Sequence, residues 1–256
     1  MYNLYKYFQA IDLQIDTLRN MQLFFAHPSL LNDSFDTSNK LLSEFPYFCD
    51  KIGWSVELSR KLDSHGICSM SKGYRPDNRH LWSLYSGNYS GFVVEYNTEV
   101  LSKYIVENGM ALSEVQYKSR PLNLNNMFAS YEVPEHEDNY IYHIFECFQE
   151  DICDKARDRL FEFLHLQKEE KIWSIEDEIR IIINEHKPRI ATIVSDKGYV
   201  IPIIKECFRC IYVGYRISED AQNSLIEIAQ NLECSIFMVE PRIIKGNWDV
   251  NISQLK

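Results

Sequence analysis

The stretch EIRIIIN, residues 178–184, is the first of four predicted strands that follow one another without a helix between them. Its isoleucines are typical of a strand. The next three strands are predicted at 190–194, 199–203 and 207–213. Strands joined so closely pair as hairpins, and the rest of the chain shows no regular alternation of strand and helix. The sequence therefore predicts an α+β fold with mixed, mostly antiparallel sheets.

Further elements are predicted on both sides of this run. Apolar residues recur at three- and four-residue steps over 138–170, which predicts one long helix. Thr98 and Ser218 are predicted N-caps of shorter helices. The other predicted strands lie at 4–8, 23–26, 67–71, 91–96, 113–117 and 234–239, and the other predicted helices at 17–21 and 38–62.

The composition is that of a globular protein. The 256 residues include 27 basic and 37 acidic side chains, for a formal charge of −10, and 45% are hydrophobic. These values exclude disordered and collagen-like chains. No apolar run approaches the roughly 18–20 residues that span a bilayer, and the N-terminus lacks the pattern of a signal peptide. We expect one cytoplasmic domain over residues 1–256 that binds no membrane.

The cysteines indicate a reducing compartment. Their number is odd, which is typical of free thiols in the cytoplasm. Cys207 and Cys210 have the spacing of a ligand pair, but a zinc site needs a second pair at matching spacing. We therefore expect structural thiols and no metal. The seven are Cys49, Cys68, Cys147, Cys153, Cys207, Cys210 and Cys234.

Well-marked catalytic motifs are absent from the sequence. It contains no GxxxxGK[ST] phosphate loop, no GxGxxG, no GxSxG and no HExxH. His143 and Cys147 are one helical turn apart in the predicted long helix, but no third member of a triad can be assigned. The acidic balance also disfavours bulk binding to nucleic acid.

The densest group of charged residues lies just before the strand predicted at 178–184 and in its first residues. Glu176 and Glu178 are two residues apart, so a strand would place both carboxylates on one face, and Arg180 would continue that face. Such a group can hydrogen-bond a sugar diol, stabilise a developing cation or share a proton. The alternative is a charged outer face of an edge strand.

A second candidate is the loop that contains Asn32, Asp33 and Phe35. These residues suit an Asx-type turn plugged by an aromatic ring. The same turn could direct the polar side chains of Asn32 and Asp33 into a cleft.

Two more pairs have candidate binding roles. Trp82 and Tyr85 share one face of a predicted helix, where aromatic residues are usually core. Ser69 and Ser71 place two hydroxyl groups on one strand face, as ordinary solvent-facing serines also do.

Together these segments resemble the bacterial and phage family catalogued as domain of unknown function 2971. The matching pieces follow the family order over nearly the whole chain. The chain departs from the family at Ser34, where proline is frequent, and at Leu84, where histidine is frequent. The matching pieces are 4–7, 24–28, 32–35, 68–71, 81–85, 91–96, Lys168, 173–180 and 213–216.

The chain also resembles bacterial ADP-ribosyltransferases. That family has a basic or polar residue on its first strand, then S-x-S, and later E-x-E. In this chain the corresponding residues are Lys6 or Tyr7, then Ser69-Met70-Ser71, and then Glu176-Asp177-Glu178.

This resemblance implies a cleft that binds NAD as a substrate. Glu178 would hydrogen-bond the nicotinamide ribose and stabilise an oxocarbenium-like transition state, while Glu176 would orient the acceptor. Tyr7 or Tyr85 would stack on nicotinamide. Arg180 completes the catalytic group.

The functional hypothesis is an ADP-ribosyltransferase-like effector, a bacterial toxin or antiphage defence protein, with a protein or nucleic-acid acceptor. One alternative is a non-enzymatic sensing or scaffold subunit that binds a protein partner in a defence complex. Another is a metal-dependent nuclease that uses Asp33, Glu176 and Glu178.

Overall fold

The protein is described from a computed structural model that covers residues 2–33, 36, 65–120, 165–183, 190, 192–195 and 197–255. The fold class is α+β, as predicted. The chain divides into two compact units, and the prediction of a single domain over 1–256 stays a prediction. The first unit comprises Met1–Ala26, Ile67–Ser113 and Ile175–Lys256, and the second His27–Gly66 and Glu114–Ser174.

The described residues form the following elements. The helices are α1 (Asp12–Arg19), α2 (Arg79–Tyr85), α3 (Thr98–Glu107), α4 (Glu170–Trp173) and α5 (Glu219–Leu232), with 3₁₀ turns at Pro28–Leu30, Ser174–Glu176 and Lys205–Cys207. The strands are β1 (Asn3–Phe8), β2 (Gln22–Ala26), β3 (Gly66–Gly73), β4 (Phe92–Tyr96), β5 (Ala111–Glu114), β6 (Gln116–Lys118), β7 (Gln167–Glu169), β8 (Glu178–Ile183), β9 (Thr192–Ser195), β10 (Gly198–Pro202), β11 (Phe208–Gly214), β12 (Ser235–Ile244) and β13 (Asn247–Gln254).

One mixed sheet organises the first unit. Its strands follow the order β13-β12-β11-β4-β1-β3-β2-β10-β9, and β8 pairs with both β3 and β5. Most pairs are antiparallel, as predicted, whereas β11 and β12 are parallel. A parallel pair needs a crossover connection, and α5 provides it. In the second unit, β6 pairs in parallel with β7.

Alternating side chains give the sheet two apolar faces. Along β1, Leu4 and Phe8 join one core cluster, and Tyr5 joins another. The first cluster takes in apolar residues of α1, α3 and α5, so we call its side the helix face. The second cluster contains Trp82 of α2 with three buried tyrosines, Tyr5, Tyr89 and Tyr212, and three valines, so we call its side the aromatic face. Period two along each strand therefore decides which face a polar residue shares.

The strands β12 and β13 extend beyond the sheet as a two-stranded ribbon. β12 pairs with β11 only from Ser235 to Val239, whereas its pairing with β13 continues to the turn at Lys245 and Gly246. Both turn residues have positive φ, +50° and +79°, as a two-residue hairpin of type I′ requires. This ribbon connects back to the loop before α2, because the guanidinium of Arg75 donates to the carbonyl of Val250 at 3.4 Å.

Several predicted elements are confirmed, and others are wrong. The helix predicted at 17–21 lies earlier, at Asp12–Arg19. Of the four strands expected to pair as hairpins, only β9 and β10 pair with each other among the described residues. The strands predicted at 4–8, 67–71, 91–96 and 199–203 match β1, β3, β4 and β10 within two residues. Asn97, not Thr98, caps α3, because its side chain accepts from the amide of Val100. The predicted long helix does not reach Glu170, since Gln167–Glu169 is strand β7. The strand predicted at 234–239 is the first half of β12, which continues to Ile244, and no strand was predicted at β13.

Other predictions fall outside the described residues. These are the helix at 38–62, most of the helix at 138–170, Ser34, Phe35, His143 and the cysteines at positions 49, 147 and 153. The cysteines that are described, Cys68, Cys207, Cys210 and Cys234, are free thiols. Within the ranges that the structure covers, no helix has the length and apolar character needed to cross a membrane.

Candidate functional site

The two glutamates of the E-x-E segment do not lie on one strand. Glu176 ends the 3₁₀ turn Ser174–Glu176, and β8 begins at Glu178. Between them, Asp177 has a φ of +44°, a left-handed backbone conformation that residues other than glycine rarely adopt. The prediction that period two places both carboxylates on one strand face is therefore wrong, because the backbone turns at Asp177. Even so, both glutamates are buried.

The carboxylate and the backbone of Glu176 are held by two different elements. The hydroxyl of Tyr85, the last residue of α2, donates a hydrogen bond to its Oε1. From β3, the hydroxyl of Ser71 donates to its carbonyl oxygen at 2.6 Å. A buried carboxylate needs such partners, because it has lost its contact with water. Tyr85 and Ser71, both predicted as binding residues, thus lie against Glu176 itself.

Glu178 and Arg180 form a buried ion pair along β8. The Nε of Arg180 donates to Oε1 of Glu178 at 2.8 Å, and the Nη2 of Arg180 donates to Oε2 of Glu178 at 3.1 Å. Side-chain exposure is 4% for Glu178 and 0% for Arg180. The prediction that these residues share one face is confirmed, because Ile179 and Ile181 between and beyond them belong to the helix face. The pair therefore lies on the opposite side, which is the aromatic face.

Lys6 lies where β1 separates from β3. The pairing of β1 with β3 ends at Tyr5 and Ser71, whereas β1 remains paired with β4 as far as Phe8. The ammonium group of Lys6 donates to the carbonyl of Ser69 at 2.9 Å. Lys6 shares the helix face with its neighbours Leu4 and Phe8. On this face the thiol of Cys68 interacts electrostatically with both Lys6 and Glu178.

The other candidate of the first strand, Tyr7, lies on the aromatic face. Its ring meets that of Trp82 edge-on, with centroids 5.8 Å apart at 88°. Burial raises the pKa of the Tyr7 hydroxyl. Ser69 shares this face, because its neighbours Cys68 and Met70 belong to the helix face. By strand periodicity, Tyr7 therefore shares the side of Glu178.

Asn32 and Asp33 belong to the second unit, in the bend after the turn Pro28–Leu30. Asn32 is exposed and Asp33 half-buried. The carbonyl of Asp33 accepts a hydrogen bond from the amide of Asp36 at 3.0 Å, which is a bond between backbone groups. The Asx-type turn plugged by Phe35 stays a prediction, because Phe35 lies outside the described residues. Asp36 forms a buried ion pair with Lys168 at 3.6 Å. The ammonium group of Lys168 also lies 4.8 Å from the ring centroid of Trp173.

One polar residue that contacts the site, Asn78, was not predicted from the sequence. Asn78 precedes α2, and its side chain donates to the carbonyl of Ile175 at 2.7 Å. An asparagine before a helix is a recognisable N-cap signal. The contact with a residue 97 positions later has no such local signal.

No family model, curated protein or solved structure matches the chain. Among the residues that the structure describes, no three His, Cys, Asp or Glu side chains are grouped so as to hold a metal ion. The function is therefore inferred from the geometry of this site and from the two resemblances.

Proposed function

We propose that the chain is an NAD-consuming ADP-ribosyltransferase-like effector related to the domain of unknown function 2971 family. One observation supports this most: β1 and β8 both pair with β3, so the strands with the three motif pieces are neighbours. On the aromatic face, β1 contributes Tyr7, β3 contributes Ser69 and Ser71, and β8 contributes Glu178. The acceptor is a protein or a nucleic acid, and the setting is a bacterial toxin or antiphage defence system.

The proposed reaction assigns a separate task to each residue. The bond between the ribose C1 carbon and the nicotinamide nitrogen breaks, and its electron pair leaves with nicotinamide. Glu178 stabilises the positive charge that develops on the ribose, and Arg180 holds its carboxylate in one orientation. Glu176 orients the acceptor nucleophile, which forms the new bond to C1 and releases a proton. An aromatic ring, Tyr7 or Tyr85, stacks on nicotinamide.

The burial of Glu178 places a requirement on this proposal. Only 4% of the residue is exposed, so NAD must open the surface locally before the ribose can reach the carboxylate. Closed sites that open for substrate strengthen electrostatic stabilisation, since they exclude water during the reaction. We therefore expect that NAD binding changes the solvent protection of β8.

The test follows nicotinamide release from NAD by the purified chain, with candidate protein and nucleic-acid acceptors. Glu178→Gln keeps the size of the side chain and removes its charge, so we expect release to stop. The matched control is Glu240→Gln, because Glu240 pairs with Arg242 two residues on along β12, at 2.8 Å, on the surface. We expect this variant to retain wild-type release.

Two outcomes contradict the proposal. One is the absence of nicotinamide release by the wild type with every acceptor. The other is full release by Glu178→Gln when its thermal melt shows a folded protein. Dependence on Mg²⁺ without any need for NAD selects the nuclease alternative instead.

A second candidate function is the non-enzymatic subunit of a defence complex. The observation that favours it lies on the ribbon, where Ile243 and Trp248 face each other across β12 and β13 and are 66% and 76% exposed. Aromatic side chains are enriched in protein interfaces, so this exposed pair suits contact with a protein partner. This function predicts that Trp248→Ser abolishes activity in cells while Glu178→Gln does not.

A further inference from the structure

The turn before β8, residues 174–177, accepts hydrogen bonds from β3 and from both ends of α2. From β3, Ser71 donates to the carbonyl of Glu176 at 2.6 Å, and the amide of Lys72 donates to the carbonyl of Asp177 at 2.9 Å. From α2, Tyr85 donates to the carboxylate of Glu176. Asn78, at the other end of the same helix, donates to the carbonyl of Ile175.

Asn78 uses both ends of its side-chain amide. Its Oδ1 accepts from the amides of His80 and Leu81, at 3.1 and 3.2 Å, and so caps α2. Its Nδ2 donates at 2.7 Å to Ile175. One side chain therefore fixes the first turn of α2 and the turn before β8 relative to each other.

The two contacts of Asn78, with the first turn of α2 and with Ile175, also determine the position of Tyr85 at the other end of α2. α2 has seven residues, with Asn78 just before the first and Tyr85 as the last, so the two attachments lie about 10 Å apart along the helix. Two separated attachments fix the direction of the helix axis, whereas Tyr85 alone would leave α2 free to swing about its end. Asn78 thus keeps the Tyr85 hydroxyl at the Glu176 carboxylate.

We infer that Asn78 is a positioning residue for Glu176 and Glu178, an inference that rests on the proposed transferase function. It touches neither carboxylate and acts through the turn and through α2. Loss of its contact with Ile175 displaces the two carboxylates without altering their charges. Such a displacement lowers kcat and leaves the affinity for NAD nearly intact.

The test compares Asn78→Ser with Asn97→Ser. Serine retains an oxygen that caps the helix, but it is too short to cap α2 and reach Ile175 together. Asn97 caps α3 in the same way, through the amide of Val100 at 3.3 Å, so its variant controls for the exchange of an asparagine cap. We expect Asn78→Ser to lower kcat for nicotinamide release by about tenfold, with KM for NAD within about twofold. Asn97→Ser should match the wild type.

A second readout does not depend on activity. Amide hydrogen exchange over residues 174–180 should be faster in Asn78→Ser than in Asn97→Ser. If the wild type releases no nicotinamide, the proposed function fails, and exchange alone decides whether Asn78 holds the turn. Equal exchange in the two variants overturns the inference. Faster exchange with an unchanged kcat overturns it too, since the turn then has no effect on the reaction.

Discussion

The hydroxyl of Tyr85 donates a hydrogen bond to the carboxylate of Glu176, a residue 91 positions further along the chain. This contact joins the end of α2 to the turn that leads into β8. Glu176 is 4% exposed, so its carboxylate depends on protein donors rather than on water. The same contact would hold the carboxylate in place for an acceptor.

Tyr85→Phe tests how much this hydrogen bond contributes to the free energy of unfolding. The variant removes one hydroxyl from a buried charged group, so we expect a loss of about 1.5–3 kcal/mol in the free energy of unfolding. Urea denaturation measures it. The control is Tyr104→Phe, because the Tyr104 hydroxyl donates to the carbonyl of Pro202 at an exposed site, where the loss should be about 1 kcal/mol or less. Equal losses in the two variants contradict the special role of Tyr85.

The ion pair of Glu178 and Arg180 should show strong coupling. Removal of either partner leaves the other charge buried, so Glu178→Gln and Arg180→Met should each cost about 3–5 kcal/mol in stability. The double variant should cost less than the sum of the two, with a coupling free energy of about 1–3 kcal/mol. Chemical denaturation of the four proteins completes the cycle.

The exposed pair of Glu240 and Arg242 is the reference for this cycle. It has the same residue types, the same spacing along a strand and the same 2.8 Å contact. Because water surrounds it, we expect a coupling free energy of about 0–1 kcal/mol. A coupling as small as this at Glu178 and Arg180 means that the buried pair is not a stabilising unit.

Asp177 tests the left-handed backbone before β8. Glycine adopts a φ of +44° without strain, so Asp177→Gly should remain within about 1 kcal/mol of the wild type, even though it loses an exposed ion pair with Lys72. Asp177→Val should lose clearly more, about 1–2 kcal/mol beyond the glycine variant. Thermal unfolding of both variants measures the difference. If valine is tolerated as well as glycine, the backbone at this position is not left-handed.

Tyr5 should make the protein sensitive to alkali. Burial raises the pKa of its hydroxyl from 10.0 to about 12. Below the lower value both states of the protein keep the proton. As the pH rises from about 10 to about 12, the unfolded chain loses this proton while the folded chain retains it, so the stability falls. Tyr5→Phe removes this contribution and should flatten the decline.

Denaturation at a series of alkaline pH values measures the effect. The control is Tyr74→Phe, since the Tyr74 ring is 79% exposed, and we expect it to follow the wild type. A decline in Tyr5→Phe as steep as in the wild type means that Tyr5 does not account for the sensitivity.

Local patterns predicted the parts of the site that depend on periodicity. The alternation of isoleucines along β8 predicted correctly that Arg180 and Glu178 share a face, because each strand residue reverses direction. The same rule failed one residue earlier, at Asp177, because a single left-handed residue interrupts the strand. Aspartate adopts the left-handed conformation more often than most residues, but this weak preference does not by itself predict a turn between two glutamates.

Contacts between distant segments lay beyond sequence reasoning. Asn78 carries a local capping signal, but its hydrogen bond to Ile175 exists only because α2 packs beside the turn before β8. The choice between Lys6 and Tyr7 likewise depended on which face each occupies, and that depends on the register of β1 with its neighbours. β13 was missed because its turn, Lys245-Gly246, lacks the Asn-Gly or Asp-Gly pair typical of a short hairpin.

The contact of Arg75 with the carbonyl of Val250 has a consequence for growth of the sheet. β13 is the terminal strand of the described sheet path, and a terminal strand is a template for pairing with another chain. At its centre, the Val250 amide donates to its neighbour Asp249 at 2.8 Å, while the carbonyl accepts from Arg75. A visiting strand would have to displace both groups before it could pair there. Arg75 and Asp249 therefore oppose the addition of a strand from another molecule to this edge of the sheet.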